Sequence, residues 1–261
     1  MVLSVAVEGT SIPLFWAMLD KQGNSNTQER IDLLNQFIEL FGVEKIACLT
    51  ADREFKGKKW LQFLKEKKIS FCLRITMNTQ VNNRHGNQIL PVKRLFNLKM
   101  GKKMVLNQSR KIWGGQVVYL ACFRTKDDWV IIICDKTPKK ALEYYQQRWM
   151  IETLFQALKG RGFNLEETHL KNPERISKLF AVMVLALAWC YKVGTWRNQI
   201  KPIKLKNHQR LAKSIFRYGV EWIRKLLNNM GQFSDRIIKL IFLIDKKQIH
   251  PTQYSYLFDF K

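Results

Sequence analysis

The sequence predicts an α/β protein with a β-rich insertion and a helical C-terminal region. Short β-branched runs alternate with amphipathic helical patterns over the first 75 residues, which predicts a sheet with packed helices. A following stretch without acidic residues contains a Gly-Gly turn between apolar runs, which predicts a hairpin. From residue 192 onward the pattern is helical and basic, with 15 Lys or Arg against four Asp or Glu.

The chain opens on a predicted strand at Val2–Val7, with a second strand over residues 13–19 and a turn at Thr10-Ser11. A helix then begins at Asn26. Glu29 follows three residues later, and this spacing is that of a capping box, in which the two side chains bond reciprocally to the backbone.

Two further strands flank a second helix. Residues 45–50 predict a buried strand, 57–67 a helix and 71–75 another core strand. Asp52 follows the first of these strands, and ligands of open α/β sheets bind beyond the carboxyl ends of strands. Asp52 is therefore a candidate metal ligand. The alternative is an ordinary aspartate that caps the next helix.

Residues 76–127 predict a basic, β-rich insertion. From residue 76 to residue 126 there are ten Lys or Arg and no Asp or Glu. Gly114-Gly115 separates two apolar runs and predicts a hairpin turn. Residues 129–134 return to the character of a core strand.

A helix with Thr137 as its cap and Pro138 at its first position is predicted next, ending at Gly160 or Gly162. Four polar residues, with spacings of three, four and seven, fall within about 60° on one face of it. They are Tyr145, Arg148, Glu152 and Lys159. The side chains of this face could contact an anionic substrate and bind a metal. The alternative is a solvated face with an i,i+4 ion pair.

Asn172-Pro173 has the same pattern, an N-cap residue followed by proline, and predicts the start of another helix. The apolar run at 179–191 is shorter than the roughly 20 residues of a bilayer-spanning helix, so it predicts a fully buried helix and no membrane span. The N-terminal residues show no secretory signal.

Charge and cysteine usage indicate the partner and the compartment. The net charge of +24 points to a polyanion, either DNA, RNA or an anionic membrane surface. The five cysteines form no CxxC pair, which predicts buried thiols in a reducing cytosol. The four histidines are far apart in sequence, which disfavours a histidine-based active site.

Asp52 and Glu152 are separated by 100 residues and would bring hard oxygen ligands from a strand end and a helix. Such ligands suit Mg²⁺. With a third carboxylate they could build a two-metal site for phosphodiester chemistry, with ions about 3.5–4 Å apart.

Three segments, in order, resemble bacterial insertion-sequence transposases of family four, which are DDE enzymes with a Y-R-E-K signature. They read SIPLFWAMLDKQGNSNTQER, LTADREFKGKKW and YYQQRWMIETLFQALKGRGFNLEETHL. The resemblance covers roughly residues 1–190. It implies a ribonuclease-H-like mixed sheet, interrupted by a β-rich insertion before the glutamate helix.

The resemblance also implies residue roles. Asp52 would be the second catalytic aspartate and Glu152 the catalytic glutamate, and both would hold Mg²⁺ (or Mn²⁺). Tyr145, Arg148 and Lys159 would contact phosphates at the transposon end.

In relatives, an aromatic residue of the insertion stacks on a flipped base. Trp113 is the candidate for that role, and its alternative is a core tryptophan of a hairpin. The implied partner is double-stranded DNA, both transposon ends and target, bound by a homodimer in the cytoplasm at the nucleoid. No membrane partner is expected.

One departure concerns the first catalytic aspartate. The family carries it on the first core strand, whereas this chain begins at what resembles the second. Asp20 lies in a loop that matches a non-catalytic segment. We therefore expect an N-terminally truncated catalytic core at 1–75 and 128–191, with unpaired backbone where the first strand is missing. Residues 192–261 would form the basic helical region.

The leading hypothesis is a DNA transposase, or a fragment of one. It would use Mg²⁺-assisted attack of water, then of a 3′-hydroxyl, on DNA phosphodiesters. Because the first aspartate is missing, we expect this chain alone to be inactive. The alternative is a catalytically dead DNA-binding remnant. A nuclease of another ribonuclease-H-like kind is disfavoured by the Tyr, Arg and Lys around Glu152. The basic tail could also simply be solvated.

Overall fold

The computed structural model describes residues 1–7, 9–19, 21, 23–136, 138–159, 162–207, 209–228 and, for the backbone, 255–259. The chain divides into two compact units. The first comprises Met1–Leu154 with Thr252–Lys261, and the second comprises Phe155–Pro251.

The first unit contains a mixed sheet of ten described strands in the order β2-β1-β10-β3-β4-β9-β8-β7-β5-β6. The strands are β1 Val2–Val7, β2 Thr10–Trp16, β3 Cys48–Ala51, β4 Phe71–Ile75, β5 Gln80–Asn82, β6 Ile89–Pro91, β7 Lys103–Ile112, β8 Gln116–Arg124, β9 Trp129–Cys134 and β10 Ser255–Asp259. The described helices are α1 Thr27–Phe41, α2 Lys58–Glu66, α3 Ala141–Gln146, α4 Trp149–Leu158, α5 Pro173–Ile200 and α6 Ile215–Leu227. Short 3₁₀ turns lie at Val43–Lys45, Val92–Leu95 and Leu165–Thr168.

The start of the chain folds largely as its pattern predicts. Asn26 and Glu29 form the reciprocal capping box that begins α1. The turn predicted at Thr10-Ser11 is wrong, because both residues pair within β2, opposite Val7 and Ala6. The turn lies at Gly9, whose φ of 87° is a conformation that glycine adopts without a steric penalty.

Alternation along the central strands separates two buried faces. Leu49 of β3 and Phe71 of β4 join the larger core with residues of α1 and α2. Cys48 and Cys72, their neighbours in sequence, belong to a second cluster with residues of α3. Successive strand side chains point to opposite faces, so α3 packs on the face of the sheet opposite to the larger core.

The basic segment 76–127 continues the same sheet. β8 pairs antiparallel with β9, and β9 pairs antiparallel with the core strand β4. The hairpin predicted at Gly114-Gly115 joins β7 to β8, as expected. The division into a core and a separate insertion therefore stays a prediction, although the strand content agrees with it.

The strand β10 occupies the position where the sequence analysis expects a gap. It pairs antiparallel with β1 and parallel with β3. The expectation of unpaired backbone there is wrong for this structure, because β10 completes the ladders on both sides. In register, Phe258 lies opposite Ala51, so Asp259 is level with Asp52.

The single helix predicted from Pro138 onward is instead two helices. α3 begins at Ala141 without a side-chain cap, and the predicted cap Thr137 lies outside the described residues. Between α3 and α4 the backbone N–H of Arg148 donates to the carbonyl of Tyr145 three residues back, as in a 3₁₀ turn. α4 ends at Leu158, and Gly160, one of its two predicted stops, is also outside the described residues.

The second unit contains α5 and α6. Asn172 caps α5 and Pro173 is its first residue, as predicted. The expectation of a fully buried helix is wrong within the described residues, since Val182 and Leu185 are 63% and 72% exposed. α5 is also the one described helix with the length and mean hydropathy (1.7) of a membrane span, a criterion of length and composition alone.

The contact between α5 and α6 depends on two glycines. A Cβ at Gly194 would collide with the carbonyl of Ile215, and one at Gly219 with the carbonyl of Cys190. The two helix backbones therefore approach more closely than any larger residue at these positions would allow.

Candidate active site

Asp52 lies at the carboxyl end of β3, directly after Ala51. Its Oδ1 accepts a hydrogen bond of 2.8 Å from the backbone N–H of Arg53, and its side chain is 27% exposed. Asp52 does not cap the next helix, because the N-cap residue of α2 is Gly57. The carboxylate remains available to groups that approach it from β4 and α3.

Arg74 is the first of these groups, and sequence reasoning missed it. Ala51 pairs with Leu73 on the parallel strands β3 and β4, so Arg74 is the next position level with Asp52. Its Nη1 lies 3.8 Å from Asp52 Oδ1, and its Nη2 donates to Asp128 Oδ2 at 2.6 Å. A charged residue inside the apolar strand FCLRI is the signal that could have identified it.

Tyr145 reaches the same carboxylate from α3. It is 3% exposed, and its hydroxyl donates to Asp52 Oδ1 at 3.3 Å. Burial raises the pKa of Tyr145 to about 12, partly opposed by the cation of Arg148. The phenol therefore stays protonated, and thus a hydrogen-bond donor to Asp52, well above neutral pH.

Arg148 lies between the two predicted catalytic carboxylates. Its Nη2 donates to Glu152 Oε1 at 2.8 Å, and its Nη1 lies 4.0 Å from Asp52 Oδ2. The guanidinium carbon is also 5.5 Å from the centre of the Tyr145 ring, within the range of a cation–π contact. One guanidinium thus contacts a strand end, α3 and α4.

The predicted i,i+4 ion pair exists, but the face that carries it is not solvated. Arg148 is 4% exposed, whereas the side chain of Glu152 is 39% exposed. A buried cation paired with a partly exposed carboxylate is more typical of a functional site than of a surface ion pair.

The other two predicted residues have different contacts. Lys159 belongs to the second unit, where its ammonium is 2.9 Å from Glu166 Oε1. Trp113 lies in the turn between β7 and β8, is half-buried and packs against the larger core. That position is the one expected from the alternative interpretation, a core tryptophan of a hairpin.

The donors at this site suit a hard cation. Asp52 and Glu152 offer carboxylate oxygens, which Mg²⁺ prefers. Together with Asp128 they place three carboxylates around the guanidinium groups of Arg74 and Arg148, which leaves an excess of one negative charge. Among the described residues no group of three or more His, Cys, Asp or Glu could hold a metal by itself. All five cysteines are free and buried, as predicted.

A carboxylate at a strand end and another on a helix, both beside one buried guanidinium in a chain of net charge +24, are typical of enzymes that act on nucleic-acid phosphodiesters. The family described as Transposase DDE domain matches residues 1–190, so this chain belongs to that family. Membership supports a transposase function and implies DNA as a partner and a divalent metal as a cofactor. No curated protein matches the sequence significantly.

The raised pKa of Tyr145 predicts a loss of stability at alkaline pH. Its folded-state pKa of about 12 exceeds the value of about 10 in an unfolded chain, so the stability it contributes is complete below pH 10. That contribution falls as the pH rises from 10 to 12, by up to about 2–3 kcal/mol. We expect Tyr145→Phe to lack this loss, as measured by urea unfolding from pH 7 to pH 12. Parallel stability curves for the two proteins would contradict the assignment.

Proposed function

We propose that the protein is a DNA transposase of the insertion-sequence family four, which cleaves and joins DNA at the ends of its element with Mg²⁺ or Mn²⁺. The observation that carries the proposal is the convergence of Asp52 and Glu152 on the buried guanidinium of Arg148. Family membership and the strongly basic chain support the same substrate.

Asp52 and Glu152 would hold the metal, which when bound lowers the barrier to attack on a phosphodiester. Tyr145 orients Asp52 through its hydroxyl. Arg148 holds both carboxylates in place. Tyr145, Arg148 and Lys159 remain our proposed phosphate contacts, and Trp113 our proposed contact for a flipped base.

The reaction would proceed in two displacements at phosphorus. Water first attacks the phosphodiester at the element end, and the cut strand leaves with a free 3′-hydroxyl. That hydroxyl then attacks a phosphodiester of the target, and a target 3′-hydroxyl is released. Each step exchanges one phosphorus–oxygen bond for another, so no external energy source is required.

We further propose that the enzyme acts as a homodimer on paired DNA ends and is associated with the nucleoid. The family resemblance supports this assembly, since joining two ends of an element to one target requires that both ends be held together.

Removal of the carboxylate of Asp52 or of Glu152 should impair DNA cleavage and leave DNA binding intact. We expect Asp52→Asn or Glu152→Gln to lower Mg²⁺-dependent nicking of a supercoiled plasmid by at least about 100-fold, because each removes a metal ligand. The plasmid would carry the DNA that flanks the reading frame. Binding to the same DNA should change by less than about threefold, since the substitutions remove no basic group.

Glu174→Gln is the matched control, because it neutralises an exposed carboxylate in α5. A wild-type chain that binds this DNA but never nicks it in Mg²⁺ or Mn²⁺ would contradict the proposed chemistry and favour the DNA-binding remnant.

A further inference from the structure

A cleft of about 550 Å³ opens on the basic, acid-free segment of the first unit. Its lining includes Arg84, His85, Asn107, Ser109, Arg110 and Tyr119. None of these side chains belongs to the cluster around Asp52 described above. The cleft is therefore formed by residues that the candidate active site does not use.

An irregularity in the ladder between β7 and β8 shapes the cleft. Leu106 pairs with Leu120 and Arg110 with Val118, so three residues of β7 stand against one residue of β8. Such a bulge leaves backbone groups out of the ladder and changes the direction of side chains. Asn107 and Ser109, on the bulge, carry polar side chains into the cleft lining.

Arg110 is the unusual member of this lining. It is only 9% exposed, yet no ion pair of the described residues involves it. Its Nη1 donates to the carbonyls of Gln108 and Ser109 at 3.1 and 2.9 Å, while its buried Nε has no hydrogen-bond partner among the described residues. Burying a cation without a counter-ion is costly.

The surroundings increase the cost of that charge. Burial lowers the pKa of Arg110, and the neighbouring cation of Arg84 lowers it further. Residues 76–126 contain no carboxylate, so the segment itself supplies no anion to balance the two guanidinium groups. The bonds to the two bulge carbonyls fix the Arg110 fork in place, which prepares its remaining N–H groups for an anionic oxygen acceptor.

We propose that this cleft is a binding site for a phosphate group of a DNA strand, held by Arg110 and Arg84. A phosphodiester supplies the missing negative charge and accepts hydrogen bonds from both guanidinium groups, with the Asn107 amide and the Ser109 hydroxyl as further donors. The inference rests on the proposed function for the identity of the anion, since DNA is the polyanion that a transposase binds.

Arg84→Ala is the most direct test, because Arg84 lines the cleft and is exposed. We expect it to weaken binding of a short DNA duplex roughly three- to tenfold and to reduce the salt dependence by about one phosphate contact. The matched control is Lys111→Ala, an exposed cation next to Arg110 that does not line the cleft. It should change affinity by less than about twofold.

A second arm uses inorganic phosphate alone, followed by amide NMR shifts of the full chain. Phosphate should shift resonances of the bulge in wild type and in Lys111→Ala, and not in Arg84→Ala or Arg110→Ala. Arg110→Ala is read only together with its circular dichroism, since the buried side chain also contributes to packing. Equal losses of DNA affinity in Arg84→Ala and Lys111→Ala, with no phosphate shifts in wild type, would overturn the proposal.

The outcomes also separate this site from the proposed chemistry. Loss of phosphate and DNA binding in Arg84→Ala with no plasmid nicking by wild type would keep the phosphate site and reject the transposase reaction. Nicking that depends on Asp52, with no difference between Arg84→Ala and Lys111→Ala, would keep the transposase reaction and reject the phosphate site.

Discussion

The guanidinium of Arg148 is the contact on which the arrangement of the active site depends. It is buried, so its charge has to be balanced inside the protein, and the balancing groups are Asp52 from the end of β3 and Glu152 from α4. Because both carboxylates face one cation, a strand end and a helix far apart in sequence are held together. The ring of Tyr145 lies against the same guanidinium, 5.5 Å from its carbon to the ring centre.

The three carboxylates and two guanidinium groups of this site nearly cancel in charge, so a bound divalent ion would change its net charge. Arg74 bonds to Asp128 and lies near Asp52, so each guanidinium is shared between two carboxylates. A cation bound by Asp52 and Glu152 would compete with Arg148 for the same oxygens.

Local signals predicted much of the fold. The capping box at Asn26 needs only residues three positions apart, and the apolar run of β4 predicts that strand at its observed bounds. Asp52 could be singled out because a carboxylate after a buried strand is itself a local pattern. The alternation of Cys48 and Leu49 reflects the two faces of the sheet, although the sequence does not say which helix covers which face.

The remaining features depend on contacts between distant residues. Arg74 meets Asp52 only through the register of two parallel strands, which no spacing reveals. The break between α3 and α4 contains no proline or glycine, the residues that would predict it from the sequence. β10 pairs with strands more than 200 residues away in sequence, so its position could not be predicted from its own composition.

The most direct test of the account is a double-mutant cycle on Arg148 and Glu152. Urea unfolding of Arg148→Met, Glu152→Gln and the double variant gives their coupling free energy, with exposed Glu174 and Lys178 as the reference i,i+4 pair. We expect a coupling of about 1 kcal/mol or more for the first pair and about 0.3–0.5 kcal/mol for the reference. Additive effects of Arg148→Met and Glu152→Gln, within about 0.3 kcal/mol, would contradict the central role of this guanidinium.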